Sequence, residues 1–136
     1  MKKIINLICF SITITFIVSC ANRGTPSGGE IDEIPPSITK STPKNYTLDF
    51  NSSEIRVYFD EYIKFKNLQK YLIISPPIDP APEITPLGTA SKYLEIKFQD
   101  SLKLNTTYVF NFGESIVDNN ADNIFSNYKY LSLIHI

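Results

Sequence analysis

The chain has 136 residues, 43% of them hydrophobic, which suffices for one domain of ordinary size. Its 13 basic and 14 acidic residues are scattered and give a net charge of −1, so the sequence lacks the basic surface that nucleic-acid binding requires. A Ser-His-Asp catalytic arrangement would have to use the single histidine, His135, which lies one residue from the end. We therefore expect no catalytic residues, no cofactor and no nucleic-acid partner.

The first 19 residues have the pattern of a signal peptide. Two lysines precede an apolar run over residues 4–18, which is shorter than the roughly 20 residues that span a bilayer. The run ends in Ile17-Val18-Ser19-Cys20, which resembles the lipobox of bacterial lipoproteins. The alternative, an ordinary cleavage site beside an unrelated cysteine, fits an Ala-x-Ala pattern poorly. The resemblance implies cleavage between Ser19 and Cys20, and a membrane anchor of acyl chains such as palmitate on Cys20.

Residues 20–33 predict a lipidated cysteine followed by a flexible tether, because glycines and prolines alternate with polar residues there. With Cys9 lost and Cys20 lipidated, no disulfide is expected in the mature chain. The residues after Cys20 lack the aspartate that retains lipoproteins at an inner membrane. They also lack the acidic cluster that resembles a surface-export signal. We therefore expect the outer membrane, with the domain facing the periplasm rather than the cell surface.

The folded domain is predicted over residues 34–136 and starts with extended segments. Residues 37–42 predict a first strand, and residues 46–50 predict a short extended piece. The clearest period-two alternation covers residues 54–60, where Ile55, Val57 and Phe59 share one face. Residues 62–70 leave a short strand, a helical turn and a loop open.

The second half of the domain continues the strand pattern. Residues 71–75 predict a strand, and the prolines after it predict an irregular or edge segment with a short strand near residues 82–85. A polyproline ligand is the alternative for that segment. Further strands are predicted at 93–98, 107–113, 116–117 and 125–136. In the first of them Leu94, Ile96 and Phe98 face inward, and in the second Tyr108, Phe110 and Phe112 form an aromatic face. Short strands between regular turns predict an all-β fold, an antiparallel β-sandwich.

Several motifs follow one another at a characteristic spacing. They are Pro26-Ser27-Gly28-Gly29, Ser41-x-Pro43, Ile55-x-Val57-x-Phe59-Asp60-Glu61, Leu72-Ile73-Ile74-Ser75-Pro76-Pro77 and Asn105-Thr106-Thr107-Tyr108-x-Phe110-x-Phe112-Gly113. Together they resemble the bacterial (SbsA-like) Ig-like domains attached to outer-membrane lipoproteins of Bacteroidetes-type bacteria. The resemblance covers roughly residues 20–130. It implies an Ig-like sandwich with Greek-key connections and a non-catalytic binding, spacer or assembly role.

One of these motifs has a physical interpretation of its own. Residues 102–108 resemble the tyrosine corner of Greek-key sandwiches, in which a tyrosine hydroxyl bonds to the backbone a few residues upstream. Tyr108 is the tyrosine of this corner. The family often has proline where this chain has Leu104, which makes the corner less rigid. We expect Asn105 to adopt the left-handed conformation that such a turn requires.

Two further motifs suggest sites outside catalysis. Asp118, Asn120 and Asp122 resemble the start of a calcium loop, but Asn123 and Lys129 stand where an EF-hand has glycine and glutamate. An Asx-rich turn is the alternative, and we expect no metal. Asp100-Ser101-Leu102 resembles the site that Bacteroidetes-type bacteria O-glycosylate, which makes Ser101 a candidate for modification.

Exposed tyrosines and paired carboxylates are the remaining candidates for a binding surface or acid–base chemistry. Tyr46, Tyr58, Tyr62 and Tyr71 lie off the predicted core face and offer contact area for a protein or glycan, with cross-strand packing as the alternative. The pairs Asp60-Glu61 and Asp32-Glu33 do not predict an acid–base pair, because adjacent residues on a strand point to opposite faces.

The end of the chain departs from the family pattern. Residues 131–136 resemble a translated sequencing adapter, so we expect this chain to be the N-terminal piece of a longer protein. The predicted function is a lipid-anchored Ig-like module of the cell envelope that binds envelope proteins or glycans. An accessory domain of a larger envelope enzyme and a glycan-binding module are the alternatives.

Overall fold

A computed structural model describes residues 1–5 and 28–134 of the chain. The chain forms two units, Met1–Glu30 and Ile31–Ile136. The predicted cleavage and lipidation residues, Ser19 and Cys20, lie outside the described residues, as do most of the predicted tether and His135. In the described part of the first unit, residues 2–5 are helical. No described helix is long and apolar enough to cross a membrane.

The described part of the second unit contains nine strands and one short helix. The helix is Leu68–Tyr71. The strands are β1 (Ile38–Thr42), β2 (Glu54–Phe65), β3 (Ile73–Ser75), β4 (Glu83–Thr85), β5 (Ser91–Lys97), β6 (Thr106–Gly113), β7 (Ile116–Asp118), β8 (Ile124–Phe125) and β9 (Tyr128–Ile134).

The strands form two antiparallel sheets. The larger sheet has the order β4-β5-β2-β7-β8, with β1 also paired to β2, and the smaller sheet has the order β3-β6-β9. The chain therefore crosses between the sheets five times, at β2–β3, β3–β4, β5–β6, β6–β7 and β8–β9. The predicted all-β sandwich is confirmed, and β4 is an edge strand as the prolines around it predicted.

Strand β2 lies at the centre of the larger sheet because it is long enough to hold three partners. Its first half pairs with β5 on one side and with β1 on the other. Its second half pairs with β7, which continues the line of β1. The predicted alternation is confirmed: Ile55, Val57 and Phe59 are buried, and Ile63 extends the buried face to the end of the strand.

Aromatic side chains of the smaller sheet pack against the larger sheet. Phe112 of β6 stacks on Phe65 of β2 at a centroid distance of 5.9 Å, and Phe110 packs on Phe98 at 6.0 Å. Each fully buried phenylalanine contributes about 1.5–3 kcal/mol of stability. The predicted aromatic face of β6 is therefore part of the contact between the sheets.

Two predicted segments differ from the structure, and a third is one for which the sequence left three alternatives open. Residues 46–50 are not extended, because Tyr46 and Asp49 have positive φ angles and only Thr47 forms a bridge. The open segment 62–70 is divided between the end of β2 and the short helix. The predicted final strand 125–136 is two strands in different sheets, separated by a turn at which Asn127 has a φ of 60°.

The segment after β1 covers the free edge of β9. The side chain of Asn45 acts like a peptide group: its amide donates to the Lys129 carbonyl at 2.8 Å, and its carbonyl accepts from the Leu131 N–H at 2.8 Å. The Tyr46 N–H donates to the Leu131 carbonyl at 3.0 Å. Burial raises the pKa of Tyr130 to about 12. Its protonated hydroxyl donates to the Pro43 carbonyl, which ties the same segment to the core.

The tyrosine-corner residues lie at the start of β6. The hydroxyl oxygen of Tyr108 accepts a hydrogen bond from the backbone N–H of Lys103, five residues upstream, at 3.2 Å. Asn105 has a φ of 51°, which confirms the expected left-handed conformation. Tyr108 is otherwise buried, so its ring packs in the core while its hydroxyl orders the connection that precedes the strand.

We expect Tyr108→Phe to lower the free energy of unfolding by about 1 kcal/mol, because the Lys103 N–H loses its acceptor while the ring still fills the core. Urea denaturation followed by circular dichroism measures the change. Tyr93→Phe is the matched control, since the Tyr93 hydroxyl has no hydrogen-bond partner among the described residues. Equal urea midpoints for Tyr108→Phe and the wild type would show that the Tyr108 hydroxyl does not stabilise the domain.

Candidate functional site

The outward face of the larger sheet carries tyrosines paired with cations. Tyr58 of β2 lies opposite Tyr93 of β5, and their ring centroids are 5.7 Å apart. The Lys40 ammonium lies 5.8 Å from the Tyr58 centroid, and the Arg56 guanidinium lies 5.8 Å from that of Tyr93. Because these rings contact each other and their own cations, the interpretation as cross-strand packing is favoured for this pair.

The other tyrosines do not extend this row into one continuous patch. Tyr62 is 55% exposed, but the Lys92 ammonium lies 5.4 Å from its ring centroid. Tyr46 lies beside β9 in the other sheet. Tyr71 is half-buried against Gly113, where an added Cβ would approach the Tyr71 Cβ to 3.3 Å. A sugar ring that stacked on Tyr58, Tyr62 or Tyr93 would therefore compete with a cation already present.

The loop after β7 is held by Asp118. This buried carboxylate accepts the backbone N–H groups of Ala121, Asp122 and Asn123 at 2.6, 3.1 and 3.1 Å. Burial alone would raise the pKa of Asp118, but the hydrogen bonds from Ala121 and Asn123 outweigh it and hold the pKa below its usual value. The carboxylate thus stays charged and closes an Asx turn.

Asp122, the other carboxylate of the calcium candidate, is also engaged. It forms ion pairs with Lys64 at 2.8 Å and Lys66 at 3.0 Å. These side chains, with Asp118, are occupied by protein donors rather than converging with Asn120 on a common point. No described group of three or more acidic, histidine or cysteine side chains could hold a metal ion. The geometry is that of the Asx-rich turn.

The two carboxylates of the Asp60-Glu61 pair lie in different surroundings. Asp60 accepts the backbone N–H and the hydroxyl of Ser37 at 2.8 and 2.6 Å, and these bonds lower the pKa of Asp60. Burial and the nearby charges of Asp118 and Asp32 raise the pKa of Glu61. Asp60 fixes the start of β1, so it is a structural residue.

A groove opens at the end of the sandwich where β2 begins. We call it the loop-end groove: it has a volume of about 810 Å³ and is formed by residues 49–53, residues 98–102 and Leu104. Phe50 and Phe98 form its floor, with their rings edge to face at 6.0 Å. Its size is within the range of roughly 300–1,000 Å³ typical of small-ligand sites.

The loop-end groove contains Ser101, the candidate for O-glycosylation, with an exposed side chain. The sequence predicts this serine as a candidate but not the groove, because the two walls of the groove lie almost fifty residues apart along the chain. The pairing of Glu54 with Lys97 brings the walls together. No local pattern predicts that juxtaposition.

The N-terminal segment of the domain joins the sandwich far from this groove. The Asn123 amide donates to the carbonyls of Asp32 and Ile34 at 2.9 and 3.4 Å. These contacts begin before residue 34, where the domain was predicted to start. Asn123 bonds back to Asp118, which pairs with Ile63, whereas the groove lies beside Glu54. The nine residue steps from Glu54 to Ile63 separate the two places by roughly 25–30 Å at about 3.3 Å per residue.

Comparison with known proteins agrees with this architecture. A profile described as the bacterial Ig-like domain matches residues 32–132. That range begins at the first residue held by Asn123 and includes all the strands except the last two residues of β9. Searches of curated proteins and of solved structures gave no match.

We expect Asp118→Asn to destabilise the domain by about 1–3 kcal/mol at pH 7, because the new amide group faces backbone N–H donors. The lowered pKa of Asp118 means that its stabilising effect is complete above the unfolded pKa of about 3.9 and is lost as pH falls through the folded pKa. The difference between wild type and variant should therefore shrink from pH 6 to pH 3.

Urea midpoints at several pH values measure this difference. Asp79→Asn is the matched control, because Asp79 is exposed and makes no side-chain hydrogen bond among the described residues. A difference between wild type and Asp118→Asn that stayed constant down to pH 3 would contradict a stabilising charge at this position.

Proposed function

Because the chain belongs to the bacterial Ig-like domain family, we propose that it is a lipid-anchored, non-catalytic module of the cell envelope. Domains of this family are generally accessory modules without catalysis. The carboxylates that were candidates for acid–base chemistry or metal binding agree with that role, because Asp60, Asp118 and Asp122 are each held by structural partners. The module acts as a spacer and a binding unit.

The observation that carries the proposal is the position of the loop-end groove relative to the N-terminal attachment. Asp32 is held beside Asn123, and the groove lies roughly 25–30 Å away along β2, at about 3.3 Å per residue. A domain fixed to a surface through residues before Asp32 would present this groove away from the attachment point. Such an arrangement suits a module that displays a binding site at a distance.

The sequence motif around Cys20 supports anchoring by lipid. Each buried methylene of an acyl chain contributes about 0.8 kcal/mol, so two or more chains hold a protein on a membrane essentially permanently. We place the protein at the outer membrane, facing the periplasm, because the residues after Cys20 lack both an inner-membrane retention aspartate and an acidic export cluster. We thus propose that the protein is a lipoprotein and that its domain is related to the SbsA-like domains of Bacteroidetes-type bacteria.

We expect Cys20→Ser to abolish lipidation and to move the protein from the membrane fraction to the soluble or uncleaved precursor fraction. Cell fractionation with metabolic labelling by a palmitate analogue measures both effects. Ser19→Ala is the matched control, because a small residue before the cysteine preserves the lipobox. A labelled, membrane-bound Cys20→Ser protein would refute anchoring at this residue.

Ser101 is a second proposed site, for an O-linked glycan. Its hydroxyl is exposed on the rim of the loop-end groove and makes no hydrogen bond among the described residues, so a transferase can reach it. We expect the intact mass of the protein from its native host to exceed the peptide mass, and Ser101→Ala to remove the excess. Ser53→Ala, on the opposite wall, is the control. An unchanged mass in Ser101→Ala would exclude this modification.

A further inference from the structure

The loop-end groove has an unbalanced charge. Two carboxylates, Asp49 and Asp100, lie on its opposite walls, and no basic residue lines it. Neither carboxylate forms a hydrogen bond or an ion pair with another residue in the described part of the chain. By contrast, Glu95, Asp122 and Asp118 are each bonded to a guanidinium, ammonium or backbone donor.

The same groove also has apolar side chains beside the carboxylates. Phe50 and Phe98 lie beneath it as part of the core and are only 4% and 7% exposed, Leu102 is half-buried, and Leu104 is 64% exposed on the rim. The groove therefore combines two features, a negative rim and an exposed aliphatic side chain.

From this combination we infer that the loop-end groove binds an extended polypeptide segment in which a lysine or arginine side chain lies next to an aliphatic side chain. The cation would lie between Asp49 and Asp100, and the aliphatic group would pack on Leu102 and Leu104. This inference rests on the proposed role as a binding module, but it does not depend on the lipid anchor.

One wall also supplies a hydrogen-bonding group suited to a polypeptide. The side chain of Asn51 makes no hydrogen bond among the described residues, so its amide can bond to the backbone groups of an extended ligand. The groove is open along one side, as a segment of chain entering and leaving requires. Charge complementarity with the two carboxylates selects a basic segment over a neutral or acidic one.

The test uses the ¹⁵N-labelled full chain in non-ionic detergent and the peptide acetyl-Gly-Leu-Lys-Leu-Gly-amide. We expect amide shifts at Asn51, Gln99 and Ser101 that saturate with a dissociation constant in the millimolar range or tighter. The same peptide with acetylated lysine has nearly the same shape but no charge, and should bind at least tenfold more weakly. Raising the salt concentration should weaken binding of the lysine peptide.

Variants locate the interaction. Asp49→Asn with Asp100→Asn should weaken binding of the lysine peptide at least tenfold, while Glu114→Gln should not change it. Glu114 is the control because it is exposed at the far end of β6 from the groove. The spectra of the variants away from the substitutions should match the wild type, which shows that both fold.

Three outcomes would overturn the inference. The first is equal affinity for the charged and the acetylated peptide, and the second is amide shifts confined to the Tyr58 and Tyr93 face. The third is the absence of saturable amide shifts when the lysine peptide is at millimolar concentration and in 10-fold molar excess over the protein. Saturable binding of a chitin-derived oligosaccharide at the same amides, without binding of the basic peptide, would assign the groove to a glycan instead. None of these results bears on membrane anchoring, which the Cys20→Ser variant tests separately.

Discussion

The two-faced alternation of β2 is the constraint on which the rest of the domain depends. Twelve residues of one strand place a continuous apolar face toward the smaller sheet and pair with three other strands. A shift of one residue in this register would turn Ile55, Val57 and Phe59 to solvent and would misalign every partner at once. The aromatic face of β6 packs on this surface, so the contact between the sheets follows from the same alternation.

The loops are ordered by short polar side chains that replace backbone partners. Asp118 accepts three N–H groups, Asn45 bonds to the Lys129 carbonyl and the Leu131 N–H of β9, and Asp60 holds the start of β1. Each of them bonds to backbone groups that the strand ladders leave unpaired. The walls of the loop-end groove are joined by a backbone bond of their own, from the Phe98 N–H to the Ser53 carbonyl at 2.9 Å.

Much of the strand pattern could be predicted because it depends on local alternation. The apolar faces of β2, β5 and β6 lie where the sequence placed them, and the prolines correctly indicated the edge position of β4. The turn at Asn127 was missed, because Tyr128 and Tyr130 look like a continuation of an apolar run and nothing local shows that β8 and β9 belong to different sheets. The loop-end groove was missed for a similar reason. Its carboxylates come from two distant loops, and only the strand register brings them together.

The segment that covers β9 limits pairing between the strand edges of neighbouring copies of the protein. Tyr46 adopts a left-handed conformation, which costs a residue of this type about 1–2 kcal/mol, and the bonds to Lys129 and Leu131 offset that cost. Proteins held on a membrane meet one another in two dimensions, where an open strand edge would join neighbouring copies into a growing ribbon. With the β9 edge covered and β4 bordered by prolines, these two edges do not offer such an open template to a neighbouring copy.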